Sequence, residues 1–173
     1  MLTLVIGGAA SGKSEYAESL ILRSSYRPRV YIATMEPFDD ECRARIARHR
    51  AMRAEKDFTT VERFTGLGGV SVPAGSAVLL ECMSNLCANE LYSPAGSGGD
   101  ACAAILAGVE HVLAQCGELV VVSNEVFSGG CLYEGDTLRY LRLLAAVNRA
   151  LAARADRVCE VVCGLPVYHK GGG

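Results

Sequence analysis

The run Gly7-Gly8-Ala9-Ala10-Ser11-Gly12-Lys13-Ser14 has the residue types and spacing to hold phosphate. It matches G-x-x-x-x-G-K-[ST] at every fixed position and lies between an apolar run and an amphipathic one, where a strand would pass into a helix. Gly and Ala allow backbone N–H groups to close around a β-phosphate, and the helix N-terminus adds partial positive charge. Lys13 would reach the β and γ oxygens, and Ser14 is placed to hold magnesium. A glycine turn that only joins strand to helix has no need of Lys followed by Ser. The run therefore reads as the site of a nucleoside triphosphate.

A second cluster lies in Asp39–Glu55, where Arg45, His49 and Arg53 recur at every fourth position and share one helical face, with Arg48 and Arg50 beside it. Like charges at that spacing repel, so the face is either simply solvated or turned toward an anion. Asp39, Asp40 and Glu41 offset the charge only near the N-terminus. With a phosphate loop in the same small chain, the anion reading gains weight. His49 is neutral for much of the time near pH 7, so it can attack phosphorus while the arginines steady the charge. His111 and His169 lack such a setting and read as structural.

Glu81 closes the apolar run Val78-Leu79-Leu80-Glu81, at the end of a strand where a parallel sheet binds its ligands. A carboxylate there can position magnesium, a sugar hydroxyl or a nucleophile. Asn124 and Glu125 follow Val120-Val121-Val122-Ser123 in the same way, as site residues or as turn caps.

These residues need a scaffold, and the apolar pattern supplies one. Leu2–Ile6, Arg29–Ala33, Ala77–Glu81, Leu119–Ser123 and Val158–Val162 are apolar at nearly every residue, as strands buried on both faces require. Lys13–Ser24, Asp39–Glu55, Asp100–Gln115 and Asp136–Arg154 are amphipathic and long enough for crossover helices, mostly opened by Asp or Ser. Phe58–Phe64 is a weaker strand, and Gly66–Gly75 and Ser93–Gly99 read as loops. The alternation predicts an α/β fold of the P-loop NTPase-like kind: one domain, residues 1–173, around a mainly parallel, doubly wound sheet.

Composition narrows the partners. A 173-residue chain that is 50% hydrophobic has ample material for one core. A net charge of −2 gives no general attraction for polyanions, which argues against a nucleic-acid binder. No apolar run approaches the roughly 20 residues that span a bilayer, and Leu2–Ile6 is too short for a signal peptide. A soluble cytoplasmic protein is expected. The eight cysteines are scattered through apolar segments and lack the paired spacing of a structural zinc site.

Taken together, the sequence resembles the adenosylcobinamide kinase/adenosylcobinamide-phosphate guanylyltransferase family. The resemblance runs from Leu4 to about Pro166. It rests on Gly7 to Ser14, Tyr31-Ile32-Ala33-Thr34, Asp40-Glu41 followed by Arg45-Ile46, His49 and Arg53, and Thr60 with Glu62. It continues through Leu80-Glu81-Cys82, Asn89, Asn124-Glu125-Val126, Asn148, Ala155-Asp156 and Gly164-Leu165-Pro166.

The resemblance implies two reactions with ATP and GTP as substrates: phosphorylation of the aminopropanol hydroxyl of adenosylcobinamide, then transfer of GMP onto that phosphate through a guanylylated histidine. The matching histidine is His49. The same match places nucleotide contacts on Gly7, Gly8, Ala9, Ala10, Ser11, Gly12, Lys13 and Ser14, on Ala33, Thr34 and Met35, on Arg50, Ala51, Met52 and Arg53, and on Glu62 and Glu81. Ser14 and Glu81 are the expected magnesium residues, Lys13 and His49 the catalytic ones, and a homotrimer the implied assembly. Two other readings use the same residues: a small-molecule P-loop kinase without nucleotidyl transfer, and a P-loop nucleotide switch that signals by shape.

Overall fold

The apolar runs become strands because both of their faces are covered. The computed structural model describes residues 1–37, 43, 47, 56–127 and 133–172. In chain order the elements are β1 (Leu2–Ile6), α1 (Lys13–Arg23), β2 (Arg29–Ala33), β3 (Phe58–Glu62), β4 (Ala77–Glu81), α2 (Met83–Tyr92), α3 (Ala101–Gln115), β5 (Glu118–Val122), α4 (Gly135–Arg154), β6 (Arg157–Val162) and β7 (Leu165–Lys170). They build a 7-stranded sheet in the order β3-β2-β4-β5-β1-β6-β7. Every pairing is parallel except that of β6 with β7.

Alternate residues of each strand face opposite layers. Leu4, Ile32, Leu80 and Val121 pack in one core with Leu86, Ile105, Val109, Leu144 and Val147 of α2, α3 and α4. Val5, Tyr31, Leu79 and Val120 point the other way, against Ala17 and Ile21 of α1. Helices on both faces make this the doubly wound α/β architecture that the alternation of elements predicts. Among the described residues no helix is long and apolar enough to cross a membrane, and all described cysteines are free thiols.

The structure departs from the sequence-based expectations in four places. Phe58–Glu62 is a full parallel strand in register with β2, stopping two residues short of Phe64. Helix α2 was not expected, and it buries Ser84, Asn89 and Glu90 beside Met83 and Leu86. Strand β7 was not expected either; it returns antiparallel through Cys163 and Gly164, both at positive φ (51° and 80°), as a tight hairpin requires. Helix caps from Asp or Ser side chains are absent at α1, α2, α3 and α4: Asp100 holds the cap position of α3 without a side-chain bond, and Asp136 lies inside the first turn of α4.

The helix expected over Asp39–Glu55 lies outside the described residues, apart from the exposed helical Arg43 and Ala47. Arg45, Arg48, His49, Arg50, Ala51, Met52 and Arg53 lie outside them as well.

Candidate active site

The phosphate loop leaves β1 and turns into α1, as its sequence requires. Gly12 takes φ 86°, a left-handed conformation open to glycine at little cost. At Gly7 a Cβ would come within 2.5 Å of Ser11 Oγ and 2.8 Å of the Val161 carbonyl, so only glycine fits. Two neighbouring segments grip the loop: Gly164 N–H donates to the Ser11 carbonyl at 2.8 Å, and Glu125 N–H donates to the Gly7 carbonyl at 3.0 Å. Lys13 Nζ donates to the Gly8 carbonyl at 3.0 Å, which folds the ammonium back across the loop.

Glu81 joins three elements. Ser14 Oγ, in the first turn of α1, donates to Oε1 at 2.5 Å, and the Tyr31 hydroxyl, on β2, donates to Oε2 at 2.7 Å. The Tyr31 ring is held in turn by Phe58 of β3, edge to face with centroids 6.3 Å apart. Parallel register brings the ends of three strands together, since Ala33 lies opposite both Glu62 and Glu81. The expected nucleotide residues Ala33, Glu62 and Glu81 thus share one stretch of the sheet's carboxyl edge, where open α/β sheets bind ligands.

Thr34 lies in the same place but turns inward. Fully buried, it donates its hydroxyl to the Cys82 carbonyl at 2.9 Å and accepts from the Cys82 N–H at 2.8 Å, while its own carbonyl receives Asn89 Nδ2 at 2.8 Å. Its side chain therefore ties β2 to the start of α2. Met35 follows, half-buried.

A cleft of about 510 Å³ opens between the loop and these strand ends, lined by Ser11, Lys13, Ser14, Tyr31 and Glu81, with Lys56 and Glu18 on its far wall. Lys56 and Glu18 form an ion pair there. The hydroxyl of Ser14 and the carboxylate of Glu81 are hard oxygen donors and suit magnesium. Among the described residues no group of three or more His, Cys, Asp and Glu side chains could hold a metal alone. A protein that offers one or two oxygens beside a phosphate loop is the usual arrangement for magnesium shared with nucleotide phosphates.

The remaining candidates fall elsewhere. Glu125 Oε1 accepts from the Phe127 N–H at 2.9 Å, so its carboxylate caps its own turn. The Asn124 carbonyl receives Asn148 Nδ2 at 3.3 Å, and Asn148 Oδ1 accepts from Ser123 Oγ at 2.6 Å, which docks α4 on the end of β5. His111 Nε2 meets the Val70 carbonyl at 3.0 Å and His169 Nε2 meets Glu160 at 3.0 Å; both bonds lie outside the cleft lining and fit the structural roles expected. Cys87, buried in the α2 layer, has its thiol pushed up to about 12 by burial, which keeps it protonated and inert.

Three contributors carry no site role in the sequence reading: Tyr31, Lys56 and the Cys163–Gly164 turn. Only Tyr31 carries a signal. A buried strand tyrosine needs a partner for its hydroxyl, and a carboxylate at the end of the adjacent strand is a natural one.

Comparison with known proteins adds the lineage. The bifunctional adenosylcobalamin biosynthesis protein CobU of Escherichia coli (strain K12) is 39% identical to this chain, over 98% of this chain and 100% of the relative. The protein of that name in Salmonella typhimurium (strain LT2) is 37% identical over 98% and 100%. The bifunctional adenosylcobalamin biosynthesis protein CobP of Pseudomonas aeruginosa (strain PAO1) is 32% identical over 99% and 98%. Among solved structures, the flagellar accessory protein FlaH from Methanocaldococcus jannaschii superposes with a TM-score of 0.52 at 12% identity, covering 99% of this chain and 80% of that one. That likeness concerns the fold alone. The model of the cobinamide kinase / cobinamide phosphate guanyltransferase family matches residues 3–168, and with near full-length relatives above 30% identity the chain belongs to this family of bifunctional kinases and guanylyltransferases.

Proposed function

We propose that this chain phosphorylates the aminopropanol hydroxyl of adenosylcobinamide and then transfers GMP from GTP to the resulting phosphate through a covalent adduct on His49. The observation that carries the nucleotide half of the reading is the bond from Ser14 Oγ to Glu81 at 2.5 Å, between the phosphate loop and the carboxyl edge of the sheet. It joins the residues that a triphosphate and its cation need.

In the guanylyl step, neutral His49 attacks the α-phosphorus in line, the P–O bond to the β-phosphate breaks, and pyrophosphate leaves against Lys13 and the loop amides. Arg45 and Arg53, four residues to either side of His49 in the sequence, would offset the developing charge. The phosphoramidate then passes GMP to the acceptor: a phosphate oxygen of adenosylcobinamide phosphate attacks, the P–N bond breaks, and neutral His49 is restored. Magnesium, when bound beside Ser14 and Glu81, supplies charge neutralisation for the triphosphate. In the kinase step the γ-phosphoryl passes to a hydroxyl, and positioning by Lys13, the loop amides and Glu81 supplies most of the rate.

Ala33, Met35, Arg50–Arg53 and Glu62 complete the proposed nucleotide contacts, whereas Thr34, expected among them, is fully buried and holds the strand end beside them instead. Both reactions are assigned to the one domain of a cytoplasmic protein, and the family resemblance implies a homotrimer. A single boundary in sedimentation at the monomer mass would contradict the trimer.

Incubation with adenosylcobinamide phosphate and α-labelled GTP tests the guanylyl assignment. Label in a corrinoid product together with pyrophosphate release supports it. Label confined to free nucleotide would leave a small-molecule kinase as the better reading.

A further inference from the structure

Glu81 accepts a hydroxyl on each carboxylate oxygen, in a way the phosphate-loop sequence does not predict. Ser14 Oγ donates to one carboxylate oxygen at 2.5 Å and the Tyr31 hydroxyl to the other at 2.7 Å. Each bond is charge-assisted and directional. The Ser14 proton is thereby aimed at Glu81, which leaves the lone pairs of Oγ turned away from the carboxylate and available to a cation. Whether they stay so aimed depends on the rotamer of Glu81, which the second hydroxyl fixes.

Tyr31 is well placed for that task. The residue is 7% exposed, and its ring meets Phe58 edge to face at an interplanar angle of 88°. Both residues stand on strands locked by parallel pairing, with Arg29 opposite Phe58 and Tyr31 opposite Leu79. A hydroxyl carried on so rigid a support holds a carboxylate at little further cost in entropy, because few rotamers remain to be lost. Tyr31 also lines the cleft.

The geometry points to Tyr31 as a positioning residue that acts through Glu81 on Ser14 and so sets how strongly the site binds magnesium together with nucleotide. The inference rests on the proposed function, in that it takes the cleft for the triphosphate site. It adds a device outside the phosphate loop: a tyrosine on β2, braced by β3, that orients the metal oxygen on α1.

The test is binding rather than turnover. Affinity of the full-length protein for a fluorescent GTP analogue is measured with excess EDTA and with saturating magnesium, and the ratio is the magnesium gain. Tyr31→Phe keeps the ring against Phe58 and removes only the hydroxyl. It should leave the EDTA affinity unchanged and cut the magnesium gain about fivefold, the worth of roughly one net hydrogen bond. Glu81→Gln should cut the gain as well, and the double variant should lose no more of the gain than Glu81→Gln alone, because the effect that magnesium reads passes through that carboxylate. Since the gain is a ratio within one protein, a change in folded fraction cancels from it.

An undiminished gain in Tyr31→Phe would overturn the inference, as would additive losses in the double variant. Equal loss with and without magnesium would overturn it too, by showing that the hydroxyl touches the nucleotide itself. If the wild type binds no nucleotide at all, the phosphate-loop reading has failed, and this inference fails with it.

Discussion

Gly164 N–H donates to the Ser11 carbonyl at 2.8 Å, so the turn between β6 and β7 braces the phosphate loop from outside the strand–loop–helix unit that defines it. The fit to the same turn is close at the next residue as well. Gly12 has φ 86°, and a Cβ built there would stand 3.1 Å from Gly164 Cα. Gly12→Ala is expected to destabilise the fold by about 1–2 kcal/mol from the left-handed backbone alone. Displacement of the loop amides should weaken GTP binding in addition. Thermal melting and nucleotide titration of the variant check both effects, and an unchanged affinity would show that the loop tolerates the shift.

Asn89 gives a second prediction. Its Nδ2 donates to the carbonyls of Thr34 at 2.8 Å and Phe64 at 3.0 Å, and the residue is 7% exposed. It therefore ties the segments that leave β2 and β3 to α2. Asn89→Ala strands two carbonyls and should cost about 2–3 kcal/mol of stability, read from urea unfolding. Nucleotide affinity should fall with it, because Ala33 and Met35 flank the strand end that Asn89 holds. A loss of stability with full affinity would make Asn89 a packing residue only.

A third prediction concerns acid. Asp156 Oδ2 accepts from the Leu2 N–H at 2.7 Å, and this bond holds the carboxyl below the ordinary carboxylate range. A folded-state pKa lower than the unfolded one contributes stability that is present above the unfolded carboxylate pKa, about 3.9. That stability is lost as pH falls toward the lower folded value. Asp156→Asn should therefore be less stable than wild type at pH 7, and the gap should narrow as pH falls through the unfolded carboxylate range. Urea midpoints of both proteins across that range measure it; a gap independent of pH would assign the effect to geometry rather than charge.

Lys13 is tied to the Gly8 carbonyl by its ammonium alone and otherwise borders the cleft. Lys13→Ala should retain its melting temperature within a few degrees while losing nucleotide-dependent chemistry by orders of magnitude. Unchanged turnover would remove the phosphate loop from the account.

Why some of this was legible in the sequence is a matter of which forces were local. The phosphate loop and β1, β2 and β4 could be read to the residue, since a continuous apolar run and a fixed-position motif depend on neighbours in sequence. Helix α2 could not. Its Ser84, Asn85, Asn89 and Glu90 obscure the apolar period, and the burial of Asn89 and Glu90 is offset by partners outside the helix: Asn89 donates to the carbonyls of Thr34 and Phe64, and Glu90 accepts from Gly66 N–H at 2.6 Å and from Ser97 N–H at 2.9 Å. Strand β7 is exposed along its whole length and carries Pro166, so no apolar stripe marks it; it exists by pairing with β6. At the site, Ser14 and Glu81 were predictable as partners from loop and strand-end logic, whereas the tyrosine that completes the carboxylate depends on β2 and β4 being adjacent.

The central claim is a covalent GMP on His49. Wild-type protein incubated with magnesium and α-labelled GTP, without acceptor, and examined by intact mass should gain one GMP per chain and release an equal amount of pyrophosphate. The adduct should be lost in mild acid and survive alkali, as a phosphoramidate does and a Ser or Thr ester does not. His49→Ala should show no gain while still binding GTP. A wild type that forms the GDP-linked corrinoid yet never carries GMP, or a His49→Ala protein that does, would contradict the account and favour direct transfer between the bound substrates.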